Sequence, residues 1–219
     1  PFVKYHGEGE EPYFYDVNGE NSFRFRNKNE IDYYIDNEVF EYIALKPLYE
    51  SHNVEKLLSD HSGSKAIWVF RHFNDVINSH LAYYKFNAID YIRPIFNPTQ
   101  KSWINECIPQ NVCNLLKKIS IDEITDADAY AIFWLLRSSI YLKVNESQNN
   151  NVILLNYEDL ITMLEQQTSK IFTCIGLNYT CIYYKIIRSC LIKKEYDFII
   201  NPIIKDECEK TSNVLRSYC

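Results

Sequence analysis

The stretch Lys65-Ala-Ile-Trp-Val-Phe-Arg71-His-Phe-Asn-Asp75-Val-Ile-Asn-Ser79-His-Leu-Ala-Tyr-Tyr84 decides how the chain is read. The apolar run from Ala66 to Phe70 is short enough for a buried strand and too short for a core helix. Arg71 ends it. Asn74 or Asp75 then offers a helix-capping side chain, and Val76, Leu81 and Tyr84 supply apolar positions for a helix to about Phe86. A strand, an arginine and a helix start, in that order, bring a guanidinium, backbone N–H groups and the Ser79 hydroxyl toward one point. A guanidinium grips a phosphate through paired hydrogen bonds. A helix N-terminus adds donors and a favourable dipole. The plainer account of the same spacing pairs Arg71 with Asp75, makes Asp75 the helix cap and gives Ser79 no role.

Working outward, Tyr42-Ile-Ala-Leu45 and Val152-Ile-Leu-Leu155 read as two more buried strands. A helix from about Asn53 to Ser59 would put Val54, Leu57 and Leu58 on one face. Pro109 suits the start of a short helix through Lys118. Thr125 or Asp126 caps a stronger one, with Ala129, Ile132, Phe133, Leu136 and Ile140 on one stripe. Asp159 would cap another helix that Gly176 ends, and a last helix covers about Ile204 to Arg216. Residues 88–106, punctuated by Pro94 and Pro98, read as a loop. Residues 1–41 read as irregular or hairpin structure, 42–177 as the core and 178–219 as a C-terminal segment, all within a single domain. The alternation Ser22-Phe-Arg-Phe-Arg26 suits a solvated strand face better than a nucleic-acid patch.

Strands alternate with helices, and the strands are continuous apolar runs. That pattern predicts an α/β fold with a mainly parallel sheet flanked by helices and covered on both faces. Ligands of such sheets lie beyond the carboxyl ends of the strands. Lys46, Arg71 and the Tyr157–Asp159 segment all follow strands, so the three are expected on one rim.

The bulk properties narrow the field. The chain has 219 residues, enough for one sizeable core, and 47% of them are hydrophobic. A net charge of −6 disfavours a general nucleic-acid coat. No apolar stretch approaches the length of a membrane span. The seven cysteines include no Cys-x-x-Cys pair, and no His pair has zinc spacing, so no metal is expected. Their odd number suits reduced, partly buried thiols. A cytoplasmic setting is favoured over a Golgi or secretory lumen, with disulfides in an oxidising lumen as the alternative. Oligomeric state cannot be read.

Three motifs together resemble the sulfotransferases that use 3′-phosphoadenosine 5′-phosphosulfate. Arg71-His-Phe-Asn-Asp75-Val-Ile-Asn-Ser79 after a strand resembles their 3′-phosphate motif. Val152-Ile-Leu-Leu-Asn-Tyr157-Glu-Asp-Leu160, followed by a helix and Ile175-Gly-Leu177, is similar to their strand, turn and helix unit. Ala44-Leu-Lys46-Pro47 is similar to their strand-end lysine, and Trp134-Leu-Leu-Arg137 to a feature of bacterial-type members. The resemblance runs from about Tyr42 to Leu177.

It implies a P-loop-hydrolase-like fold and sulfuryl transfer from that nucleotide to a hydroxyl or amine of a small-molecule, carbohydrate or protein acceptor, without a metal. Arg71 and Ser79 would hold the 3′-phosphate, helped by Arg188, Lys193 and Lys194. Lys46 would offset charge on the leaving oxygen. Tyr157 and Glu158 suit structural roles better than donor contact. Two departures stand out. The 5′-phosphosulfate loop of the family is not found: Ser62-Gly-Ser-Lys65 precedes a strand instead of following one. The loop is expected before Pro1, which makes the chain an N-terminally truncated fragment. Leu48 occupies the position of the cytosolic members' catalytic histidine, leaving Glu50 and His52 as base candidates. A non-catalytic nucleotide-binding or interaction domain of the same fold and a P-loop nucleotide kinase remain as alternatives.

Overall fold

The structure is a computed structural model that describes residues 3–6, 12–16, 23–47, 50–83, 87–97, 99, 102–146, 150–179 and 196–219. The chain divides into two compact units, Pro1–Ala66 and Ile67–Cys219.

In the first unit, β1 (Val3–His6) pairs in parallel with β4 (Tyr42–Leu45), Val3 opposite Tyr42 and His6 opposite Leu45. Between them come β2 (Phe14–Asp16) and β3 (Phe23–Phe25), an antiparallel pair, and α1 (Lys28–Asp36). A small core of Tyr13, Phe14 and Ile31 joins them, with Phe23, Phe25, Tyr34, Ile43 and Leu45 packed around it. The helix α1 is an addition to the irregular segment expected before residue 42. Its sequence is polar and buries only Ile31, so no apolar stripe announces it. A capping box nucleates it instead: the Asn27 side chain accepts the Glu30 N–H, and Glu30 reaches back to the Asn27 N–H. A 3-10 turn (Ser51–Asn53) and α2 (Val54–Asp60) complete the unit.

The second unit is built around α6 (Asp126–Glu146), which is buried on nearly every side. Thr125 caps it: its hydroxyl accepts the Asp128 N–H at 3.2 Å, while Asp128 accepts the Thr125 N–H at 2.9 Å. Packed against α6 are α3 (Phe73–Tyr83), α4 (Ala88–Phe96), α5 (Gln110–Leu116) and α9 (Pro202–Arg216). α4 and a 3-10 turn (Trp103–Asn105) occupy what reads in sequence as a loop. Asn87 caps α4, and Pro94 falls in its last turn, buried along with Ala88, Ile92 and Ile95. That burial outweighs the proline's missing donor.

The strand β5 (Ala66–Phe70) pairs with β6 (Val152–Asn156). β6 leads into α7 (Tyr157–Thr162) and α8 (Leu164–Cys174). Asn156, not Asp159, caps α7, accepting the Asp159 N–H at 2.9 Å. Gly176, at φ +75°, ends α8 as expected. Leu177 N–H bonds Phe172 O and Gly176 N–H bonds Thr173 O, which satisfies the last carbonyls.

The fold is thus mixed α/β and mostly helical, with small sheets. The described ladders are two-stranded, and β4 and β5 belong to different ones. β5 is not covered on both faces: Ile67 is 42% exposed and Val69 52%. Periodicity alone does not separate a doubly covered strand from one with an open face. Among the described residues, no helix is long and apolar enough to cross a membrane. Cys107, Cys113, Cys174, Cys208 and Cys219 carry free thiols, and Cys181 and Cys190 lie outside the described residues.

Candidate functional site

Arg71 leaves β5 and lies over the Tyr157 ring, its guanidinium 4.9 Å from the ring centroid. This contact joins the carboxyl ends of β5 and β6. The Arg71 side chain is 29% exposed, and its buried Nε has no hydrogen-bond partner among the described residues. Asp75 Oδ2 stands 3.7 Å from it, an ion-pair distance too long for a hydrogen bond. Asp75 is buried on α3, and its Oδ1 accepts the Tyr196 hydroxyl at 2.9 Å.

Neither Asn74 nor Asp75 caps α3. His72 does: its carbonyl accepts the Asp75 and Val76 N–H groups, and its Nδ1 accepts the Asn74 N–H at 3.3 Å. The His72 N–H is itself held by Glu158 Oε1 at 3.0 Å, and the Arg71 carbonyl accepts the Trp134 indole N–H at 2.8 Å. The N–H groups of His72 and Asn74 are therefore already engaged. What remains available for an anion is chiefly the arginine. Ser79 is half-buried on α3, one turn beyond Asp75 and on the same helix face.

The electrostatics follow from burial. The Tyr196 phenol is pushed up to about 12 by burial first, then by its bond to Asp75 and the charge of Asp75. His72 is held below its ordinary value by burial first and the charge of Arg216 second. Asp75 stands at ion-pair distance from Arg71, Glu158 bonds the N–H of the next residue, and the buried Glu158 Oε2 has no hydrogen-bond partner among the described residues. A phosphate here would call on further cations. Arg188, Lys193 and Lys194, expected to supply them, lie outside the described residues.

Of the expected rim, Arg71 and the start of α7 meet within the second unit. Lys46 belongs to the first unit, exposed at the end of β4, with its N–H bonded to His6 O at 3.1 Å. Glu50 is buried and fully engaged. Its Oε1 accepts Arg24 Nε at 2.7 Å and the Phe25 N–H at 3.0 Å, and its Oε2 accepts Asn53 Nδ2 at 2.7 Å. His52 lies on the next turn, its Nε2 3.5 Å from Arg24 Nη2. Glu50 lines an open cleft of about 630 Å³ together with Tyr15, Arg24, Arg26, Asn53 and Lys56. Among the described residues, no group of three or more His, Cys, Asp or Glu side chains is clustered to hold a metal ion.

Sequence reasoning misses the parts played by Trp134, Tyr196 and His72, because each acts through a contact distant in the chain or through its own backbone. The only sequence signal for Trp134 is its place in the Trp134–Arg137 motif.

No family model matches this sequence, and no curated protein matches it. Among solved structures, the sulfotransferase domain from the curacin biosynthetic pathway matches with a TM-score of 0.52 at 11% identity. The match covers 84% of this chain and 67% of that one. At this identity the likeness concerns the fold, and the fold of this chain is sulfotransferase-like.

Proposed function

We propose that this chain is a sulfotransferase-like domain that binds 3′-phosphoadenosine 5′-phosphosulfate and passes its sulfuryl group to an acceptor hydroxyl or amine. One observation carries the reading: among the described residues the buried Arg71 Nε lacks a hydrogen-bond partner at the strand end where ligands of α/β sheets bind. A buried guanidinium donor without a hydrogen bond is costly, and an anionic oxygen relieves that cost. The likeness to a sulfotransferase domain and the order of the three sequence motifs support the choice of anion.

In this reading the 3′-phosphate takes hydrogen bonds from Arg71 and Ser79, and Arg188, Lys193 and Lys194 add positive charge. Lys46 neutralises the oxygen that leaves as the S–O bond of the donor breaks. The acceptor oxygen or nitrogen attacks sulfur and gives up its proton to a base. Glu50 is committed to Arg24, Phe25 and Asn53, which leaves His52 as the candidate of the two. We treat residues 1–219 as one sulfotransferase-like domain and the acceptor as a small molecule, carbohydrate or protein.

The test is binding of adenosine 3′,5′-bisphosphate by calorimetry, beside AMP, which lacks the 3′-phosphate. Wild type is expected to prefer the bisphosphate, and Arg71→Ala to weaken it about 10- to 100-fold, the range for a charge-assisted bond. Equal binding of the two nucleotides, or an unchanged affinity in Arg71→Ala, refutes the assignment. Sulfuryl transfer that persists in excess chelator separates this activity from a kinase's. A second reading, a domain of the same fold without turnover, is favoured by the Asp75 carboxylate at ion-pair distance from Arg71. It predicts no transfer even where the bisphosphate binds.

A further inference from the structure

Arg71 and His72 share one peptide group at the point where β5 has ended and α3 has not begun. Such a group has neither a ladder nor a helical partner waiting for it, yet a buried peptide needs both its polar atoms satisfied. Here two side chains from separate elements do this. Trp134, on α6, donates its indole N–H to the Arg71 carbonyl at 2.8 Å. Glu158, at the start of α7, accepts the His72 N–H at 3.0 Å. The residue before Glu158, Tyr157, lays its ring against the guanidinium. The backbone of Arg71 is thereby held on one side by the most buried helix of the unit, and its side chain by the same turn that holds the backbone on the other.

We propose that Trp134 and Glu158 are positioning residues that clamp the Arg71–His72 peptide and so aim the Arg71 guanidinium at the nucleotide's 3′-phosphate, an inference that rests on the donor-binding reading above. Glu158 does this through one oxygen, which accepts the N–H of the residue after Arg71. Its acceptor function therefore survives replacement by an amide, which keeps a carbonyl oxygen and loses the charge. Trp134→Phe removes the indole donor while keeping an aromatic ring against Phe73, whose ring centroid is 5.6 Å away.

The experiment measures the affinities of the 219-residue chain for adenosine 3′,5′-bisphosphate and for AMP in wild type and five variants. Trp134→Phe and Glu158→Ala are expected to lower the bisphosphate affinity about three- to tenfold, the span of a single hydrogen bond, and to leave AMP unchanged. Glu158→Gln is expected to keep the wild-type preference. In the Arg71→Ala background, adding Trp134→Phe changes neither affinity. Amide exchange at His72 supplies a readout without ligand: it quickens in Glu158→Ala and stays slow in Glu158→Gln. Should Glu158→Ala fail to fold, Trp134→Phe and Glu158→Gln still decide the matter. Parallel loss of both affinities marks a general structural role and overturns the clamp, as does an unchanged preference in Trp134→Phe. If wild type shows no Arg71-dependent preference at all, the donor-binding reading fails first, visibly before any clamp variant is made, and the clamp falls with it.

Discussion

Asp128 is the residue whose removal the structure prices most directly. It sits at the third position of α6, is buried, and accepts three hydrogen bonds. Two come from Thr125, through its N–H and its hydroxyl, both at 2.9 Å. The third comes from the Asn201 N–H at 2.6 Å, at the cap of α9. One carboxylate thus starts the central helix and fastens the start of the last one to it. In Asp128→Ala the Thr125 hydroxyl can turn to another partner, but the backbone N–H groups of exposed Thr125 and half-buried Asn201 lose their acceptor. A hydrogen bond to a charged group is worth about 1.5–3 kcal/mol, and water can reach the freed Thr125 N–H, so the loss is about 2–4 kcal/mol. Asp128→Asn keeps one acceptor oxygen and turns an amide donor toward the remaining N–H, for a loss of about 1–3 kcal/mol. Urea unfolding followed by tryptophan fluorescence reads this cleanly, because Trp68, Trp103 and Trp134 all lie in the second unit. A midpoint shift in Asp128→Ala worth less than about 1 kcal/mol refutes the reasoning, since a single lost bond would then suffice.

Two pH dependences follow from the site. Tyr196 has a folded-state value of about 12 against an ordinary value of 10.0, so the neutral phenol's contribution is whole below pH 10 and is lost as pH rises toward 12. Alkaline unfolding of wild type beside Tyr196→Phe is expected to show a stability gap that closes across that window, and a gap that stays constant contradicts the Tyr196–Asp75 bond. His72 is depressed, so its contribution is whole above its ordinary value of 6.5 and is lost as pH falls through the lower folded value. Protonating Nδ1 also removes the acceptor for the Asn74 N–H, so acid is expected to loosen the first turn of α3, read as faster amide exchange at Asn74; an exchange rate that follows only the general pH trend contradicts the cap.

Much of the fold is legible in the chain. The three apolar runs became strands at nearly the expected bounds, because short β-rich stretches between polar turns have few other uses. Gly176 was readable as a helix end because a left-handed residue there is easiest for glycine. The misses share a cause. α1 has a cap and no stripe, α4 carries a proline that burial overrides, and the caps of α3 and α7 are residues whose competence depends on where the backbone turns. The order of elements in one chain likewise predicts one sheet, whereas ladder membership is set by pairing between residues far apart in sequence.

The candidate site divides in the same way. By itself the sequence determined that an arginine follows β5, that an aspartate and a serine follow at helical spacing, and that a Tyr-Glu-Asp turn follows β6. These are local facts, written in residue type and interval. Only the tertiary structure decided what the arginine does with its neighbours. It brought Tyr157 beneath the guanidinium, gave Asp75 to Tyr196 across 121 positions, and closed Trp134 and Glu158 on the Arg71–His72 peptide. It also tied Glu50 into a hydrogen-bonded set with Arg24, Phe25 and Asn53. The physical reason is that a polar group's role depends on which partners burial leaves it, and burial is a property of the packed chain.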